Sequence, residues 1–222
     1  MTGPSAGVVA GPGPRLTVLH CGCGPARREN IPHGFQGLEW RELRYDIDPA
    51  VAPDIVGSII DMSAVATGSI DALYNSHVIE HLYPHEVPVA LGEFHRVLKA
   101  EGFVVLGCPD LQSVAEQVAT GRLMETAVQS PSGPISAVDM LYGYRPALAA
   151  GNLFMAHRTG FTAGSIGEHF GAAGFVRALT VRSATYDLWA LATKHEAADD
   201  ELYRLANAFL PRVAPWAGPP TV

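Results

Sequence analysis

The stretch Leu16-Thr17-Val18-Leu19-His20-Cys21-Gly22-Cys23-Gly24 constrains the fold more than any other, because an apolar strand running into Gly-x-Gly is how an α/β sheet presents bare backbone to a ligand. Glycine tolerates positive φ and has no Cβ, so the turn can be tight and a ligand can approach the main chain. Asp46 ends a second expected strand, Trp40 to Tyr45, and stands 22 residues after Gly24. That is close to the roughly 20-residue spacing of a ribose-binding carboxylate. Together they point to a nucleoside ligand.

The loop argues against a dinucleotide. The third glycine of G-x-G-x-x-G is replaced by Arg27, and Pro25 removes an N–H that a pyrophosphate would need at a helix N-terminus. An NAD-dependent oxidoreductase is therefore disfavoured. S-adenosylmethionine carries no phosphate, so a shorter glycine turn suffices for its methionine part while the next carboxylate holds its ribose. After a third strand, Asp54 to Gly57, Asp61 is offered to the adenine amino group and Met62 as an apolar cover.

Further strands are expected at Ala72 to Asn75 and Phe103 to Gly107, with a helix over Pro88 to Lys99 whose Val89, Phe94, Val97 and Leu98 fall near one face and which Gly102 follows. Helices are also expected at Leu111 to Ala119 and Ser136 to Tyr142, separated by the turn-rich residues 129–134. Thr162 caps a helix that Gly174 closes, a hairpin follows at Val176 to Arg182 and Leu188 to Thr193, and Asp199 to Leu210 forms a last helix. The implied fold is α/β: a doubly wound, mostly parallel seven-stranded sheet with a terminal antiparallel hairpin and a lid inserted after strand five. Residues 1–14, with four glycines and three prolines, read as a disordered tail, 15–195 as the domain with its lid at 109–161, and 196–222 as a C-terminal helix and tail.

These blocks resemble the class I S-adenosylmethionine-dependent methyltransferases of small-molecule type, in that family's order over residues 16–108. The resemblance implies cofactor contacts at His20, Gly22, Cys23, Gly24, Asp46, Ile47, Asp61, Met62, Ser76 and His77, with His20 standing where the family usually has an acid. The run Asp71 to Leu82 is similar to the family's fourth strand and the loop after it, which lies beside the transferred methyl. Histidine can take a proton near neutral pH, so His81 is the leading general-base candidate and His157 the second.

Ligands of open α/β sheets bind beyond the carboxyl ends of the strands, so the segment after strand five is the expected acceptor lid. Glu80, Tyr142, Tyr144, Arg145, Phe154, His157 and Arg158, with Asn152, supply aromatic walls and polar handles for a small, partly polar acceptor. The expected activity is methyl transfer from S-adenosylmethionine to an oxygen or nitrogen of a small molecule, leaving S-adenosylhomocysteine. The alternative is a cofactor-binding protein of the same fold with a cyclising or scaffold role.

A net charge of −7 without a basic block argues against a nucleic-acid partner. No apolar run is long enough to span a membrane and no secretory signal begins the chain, which with only three cysteines leads to a cytoplasmic expectation. Oligomeric state stays open, a homodimer among the options. Asp48, before Pro49, reads as a turn or cap, and Cys21, Cys23 and Cys108 as packing residues. His77, His81 and His85 recur at helical spacing, but Pro84 interrupts the helix that would align them, so no metal is expected.

Overall fold

The computed structural model describes residues 16–211; the N-terminal tail and the end of the C-terminal segment lie outside the described residues. Strands β1 (Leu16–Cys21), β2 (Trp40–Asp46), β3 (Ile55–Val56), β4 (Ile70–Ser76) and β5 (Leu98–Pro109) pair in parallel. A hairpin of β6 (Thr126–Ser130) and β7 (Gly133–Ser136) stands apart. The main sheet is completed by β8 (Arg177–Arg182) and β9 (Asp187–Thr193), with β9 antiparallel to both β5 and β8. The order β3-β2-β1-β4-β5-β9-β8 is the expected seven-stranded sheet. Its winding reverses between β1 and β4, so the crevice outside those two strand ends is where a ligand belongs.

Alternation along each strand divides the core in two. Leu19, Cys21, Leu73, Val104 and Leu106 face a layer covered by α1 (Val87–Val97), packed with Phe170 of α5 (Ala163–Ala172). Val18, Ala72, Tyr74 and Val105 face an aromatic layer of Phe35, Trp40, Phe103 and Phe209. Phe35 and Phe209 meet at 4.5 Å between ring centroids. Between β1 and β2 the chain forms only two 3₁₀ turns, Arg28–Asn30 and His33–Phe35, because Pro25, Pro32, Gly34 and Gly37 leave no uninterrupted helical stretch. The helix α6 (Asp199–Phe209) fills that face instead. It sits so close that a Cβ on Gly34 would come within 2.5 Å of the Ala208 carbonyl. The C-terminal helix is thus part of the domain's core.

The lid leaves and rejoins the sheet at one point, since Asp110 bridges to Phe161 and Leu111 N–H bonds the Phe161 carbonyl. Within it lie α2 (Leu111–Ala119), α3 (Ala137–Tyr142) and the short α4 (Arg145–Ala149). Asp110 caps α2 and Ser136 forms a capping box with Asp139 at α3. The stretch 129–134, expected as a turn between helices, is instead the tip of the β6–β7 hairpin. Gly133 at φ +123° makes the bend, and the Tyr144 hydroxyl donates to the Ser132 carbonyl to hold it. Thr162 caps α5 as expected, and Asp48 caps the 3₁₀ turn Pro49–Val51.

Candidate active site

The glycine turn and Asp46 meet as their spacing requires. Gly24 N–H donates to Asp46 Oδ2 at 2.7 Å and Asp48 N–H to Oδ1 at 2.9 Å, leaving each oxygen a further lone pair for a hydroxyl donor. The two glycines do different things. A Cβ on Gly22, at φ +66°, would lie 2.1 Å from Val78 Cγ2, so this residue is bare to let the loop after β4 pack against it. Gly24, at φ +49°, faces open space. Arg44, buried two residues before Asp46 on the same face of β2, was not anticipated from the sequence. Its guanidinium donates to the carbonyls of Gly24, Ala26, Val51 and Ala52, fixing the turn to the neighbouring loop.

Other expected cofactor contacts divide. His20 is not presented to the turn: it is buried, with Nδ1 2.7 Å from Glu42 and its ring against Tyr74. Cys23 is buried too, and burial pushes its thiol up to about 11, so it stays protonated. Met62 is wholly inside the core and its N–H goes to Glu93, so its side chain cannot cover an adenine. Asp61 is exposed, and Ile47 beside Asp46 is 48% exposed, which leaves Ile47 as an apolar wall. Ser76 is half-buried. His77, at φ +54°, turns the chain out of β4 with its N–H on the Gly107 carbonyl.

The end of β4 gathers three residues that the sequence places far apart or in separate roles. Glu80, His81 and His157 each bring a donor atom within 4.8 Å of the others. The lid is clamped here: the N–H groups of Arg158 and Thr159 donate to the Glu80 carbonyl, and the Arg158 guanidinium donates to the His81 carbonyl and lies 4.8 Å over the Tyr83 ring. His81 and His157 meet edge to face, 4.9 Å between centroids. Glu80 is 1% exposed, and neither carboxylate oxygen has a hydrogen-bond partner among the described residues. His77 Nδ1 is 3.4 Å from Oε1, near enough for charge attraction without hydrogen-bond geometry.

Burial pushes the Glu80 carboxyl up, but the neighbouring imidazoles, His77 foremost, outweigh it and hold the group below its ordinary value. Burial lowers His157, keeping it neutral, whereas at His77 the attraction of Glu80 and Asp187 overcomes burial and raises it. A cavity of about 330 Å³ opens beside this cluster, between His81, Met140, Met155 and Tyr186. That volume suits a small ligand.

Several handles expected for the acceptor are engaged within the protein. Arg145 bonds Asp139 and Ser136, and Arg158 is held as above. Tyr144 lines the cavity but commits its hydroxyl to the hairpin. Tyr142 and Phe154 are 64% and 60% exposed, and Tyr142 borders a second opening beside Glu80. Asn152 is exposed.

A family model described as a methyltransferase domain matches residues 19–106, the span from β1 to β5 that carries the glycine turn, Asp46 and the Glu80-His81 pair. Over these residues the chain is similar to methyltransferase domains, in line with its resemblance to the class I S-adenosylmethionine-dependent methyltransferases. Solved methyltransferases share its fold. One is a SAM-dependent methyltransferase from Archaeoglobus fulgidus, with TM-score 0.55 and 12% identity over 81% of this chain and 86% of that one. Another is the 1,6-didemethyltoxoflavin-N1-methyltransferase of Burkholderia thailandensis, crystallised with 1,6-didemethyltoxoflavin and S-adenosylhomocysteine. It has TM-score 0.51 and 14% identity over 82% of this chain and 72% of that one. No curated protein matches the chain by sequence. The methyltransferase cofactor is S-adenosylmethionine. The open face at Gly24 and the free lone pairs of Asp46 fit its methionine and ribose parts. No helix among the described residues is long and apolar enough to cross a membrane.

Proposed function

We propose that this protein transfers a methyl group to an oxygen or nitrogen of a small, partly polar acceptor seated under the lid. The observation that carries the reading is the adjacency of two sites at one switch point: Gly22, beneath the glycine turn, packs directly on Val78, two residues before Glu80 at the acceptor cavity. S-adenosylmethionine supplies an electrophilic sulfonium methyl that needs alignment and desolvation more than acid catalysis. Asp46 would hold ribose hydroxyls, with Ile47 as an apolar wall and Asp61 toward the adenine. Met140, Met155 and Tyr186 give the cavity an apolar wall, while His81 and His157 present nitrogen lone pairs to an acceptor O–H or N–H.

Calorimetric titration with S-adenosylmethionine and S-adenosylhomocysteine tests the cofactor half. Asp46→Ala is expected to weaken both about 10- to 100-fold, the loss of one or two hydrogen bonds to a charged group. Failure of both compounds to bind the native protein overturns the reading. A screen of candidate metabolites with radiolabelled methyl donor then tests the acceptor class, with incorporation into a hydroxyl or amine compound expected.

A further inference from the structure

The geometry points to a divalent transition-metal site formed by Glu80, His81 and His157 beneath the lid. Three observations converge on it. The donor atoms cluster within 4.8 Å. The Glu80 carboxylate is wholly buried with neither oxygen hydrogen-bonded, an arrangement costing several kcal/mol unless a cation faces it. Third, His81 Nδ1 lies 3.1 Å from the Ala156 carbonyl and His157 Nδ1 2.7 Å from the Met140 carbonyl. A carbonyl only accepts, so each Nδ1 carries the proton and each free lone pair sits on Nε2. Backbone carbonyls that fix the tautomer and orient the ring are the usual outer support of metal-binding histidines.

The spacing of His77, His81 and His85 would suit a metal only on an uninterrupted helix, which Pro84 breaks. His85 does stay outside, stacked on Tyr83; the second imidazole arrives from the lid, 76 residues beyond His81. Two imidazoles and one carboxylate suit Zn²⁺ or Co²⁺ better than Mg²⁺ or Ca²⁺, which favour oxygen ligands. Three protein ligands leave a position open toward the cavity, as in catalytic zinc sites. On the methyltransferase reading, that position would receive an acceptor's hydroxyl or carboxylate oxygen, committing His81 to the ion and not to base catalysis. The rival neutraliser of Glu80 is a protonated His77, half exposed and shared with Asp187 at 3.4 Å.

Equilibrium dialysis and calorimetry of the chelator-stripped full chain with Zn²⁺ alone, and the visible absorption of Co²⁺ alone, test the site without cofactor or acceptor. One ion per chain is expected, with the absorption of a tetrahedral or five-coordinate Co²⁺ centre. Glu80→Gln and His157→Ala should each lose more than the about 10- to 100-fold that removing an outer support costs, while His77→Ala keeps native binding. Circular dichroism confirms folding, and Glu80→Gln, which preserves shape, keeps the test open if His157→Ala does not fold. Absence of stoichiometric binding to the native chain, binding unchanged in Glu80→Gln, or loss in His77→Ala equal to that in Glu80→Gln overturns the assignment. Cofactor titration is independent of all these readouts, so failure of the metal site and failure of the methyltransferase reading are separable.

Discussion

Two buried carboxylates stand at the ends of β2 and β4, on either side of β1, and are treated in opposite ways. Asp46, 8% exposed at the end of β2, has a backbone N–H on each oxygen. Glu80, 1% exposed just past β4, has none on either. A carboxylate with its donors in place holds a loop in shape and keeps spare lone pairs for a neutral, hydroxyl-bearing ligand. A carboxylate without them, attracted only by nearby imidazoles, keeps both oxygens free for a cation. On our proposals the same residue chemistry thus serves a nucleoside on one side of the switch point and a cation on the other.

The change that should disturb the contrast most is Gly22→Ala, because Gly22 joins the two sites. Its Cβ would collide with Val78, and the residue must keep φ +66°. Left-handed strain of roughly 1–2 kcal/mol and overpacking of about 1–3 kcal/mol predict a large fall in the urea midpoint. Gly24→Ala, with open space at its Cβ, should incur only the strain. Equal losses for the two variants would mean that the β1 and β4 loops are not packed as described.

The next comparison is one of size. Asp46→Asn, measured by urea unfolding in chelator, is expected to cost about 1–3 kcal/mol, since an amide can accept from only one of the two N–H groups with its oxygen and turns an N–H toward the other. Glu80→Gln under the same conditions should cost less, because no N–H group depends on the Glu80 oxygens and only the attraction of the neighbouring imidazoles is lost. Destabilisation of both variants to the same degree would erase the distinction between the two carboxylates.

What could be read in the sequence follows the same division. The β1 turn and Asp46 are joined by a fixed local topology, one strand to the next, so spacing located them. The order of the blocks likewise gave the sheet, and turn chemistry gave Thr162 and Asp48 as caps. Spacing did not show that His81 and His157 meet, because their approach depends on the lid folding back over 76 residues. Nor could composition tell a free polar handle from an engaged one: Arg145 is spent on Asp139, and Arg158 on the His81 carbonyl. Arg44 was missed although it lies two residues before Asp46 on the same strand face, because its four carbonyl partners come from two loops with no regular structure to anticipate. Met62 misled for a related reason, since an apolar residue next to Asp61 is as readily drawn into the core as left over a ligand.

The smallest effect concerns the lid's own carboxylate, Asp139, a third buried acid and one with both kinds of support. Burial alone would raise it, but hydrogen bonds from the Arg145 guanidinium and from Ser136 hold it far below the usual carboxylate range. A depressed folded-state value stabilises above the unfolded value of about 3.9 and is lost as pH falls toward the folded one. The stability gap between the native chain and Asp139→Asn should therefore be full at neutral pH and narrow steadily below about pH 4. Arg145→Met should remove most of that pH dependence, because the guanidinium is the principal support. If the gap stayed constant down to the acid limit of folding, Asp139 would resemble neither of the other carboxylates, and the lid would be held by shape alone.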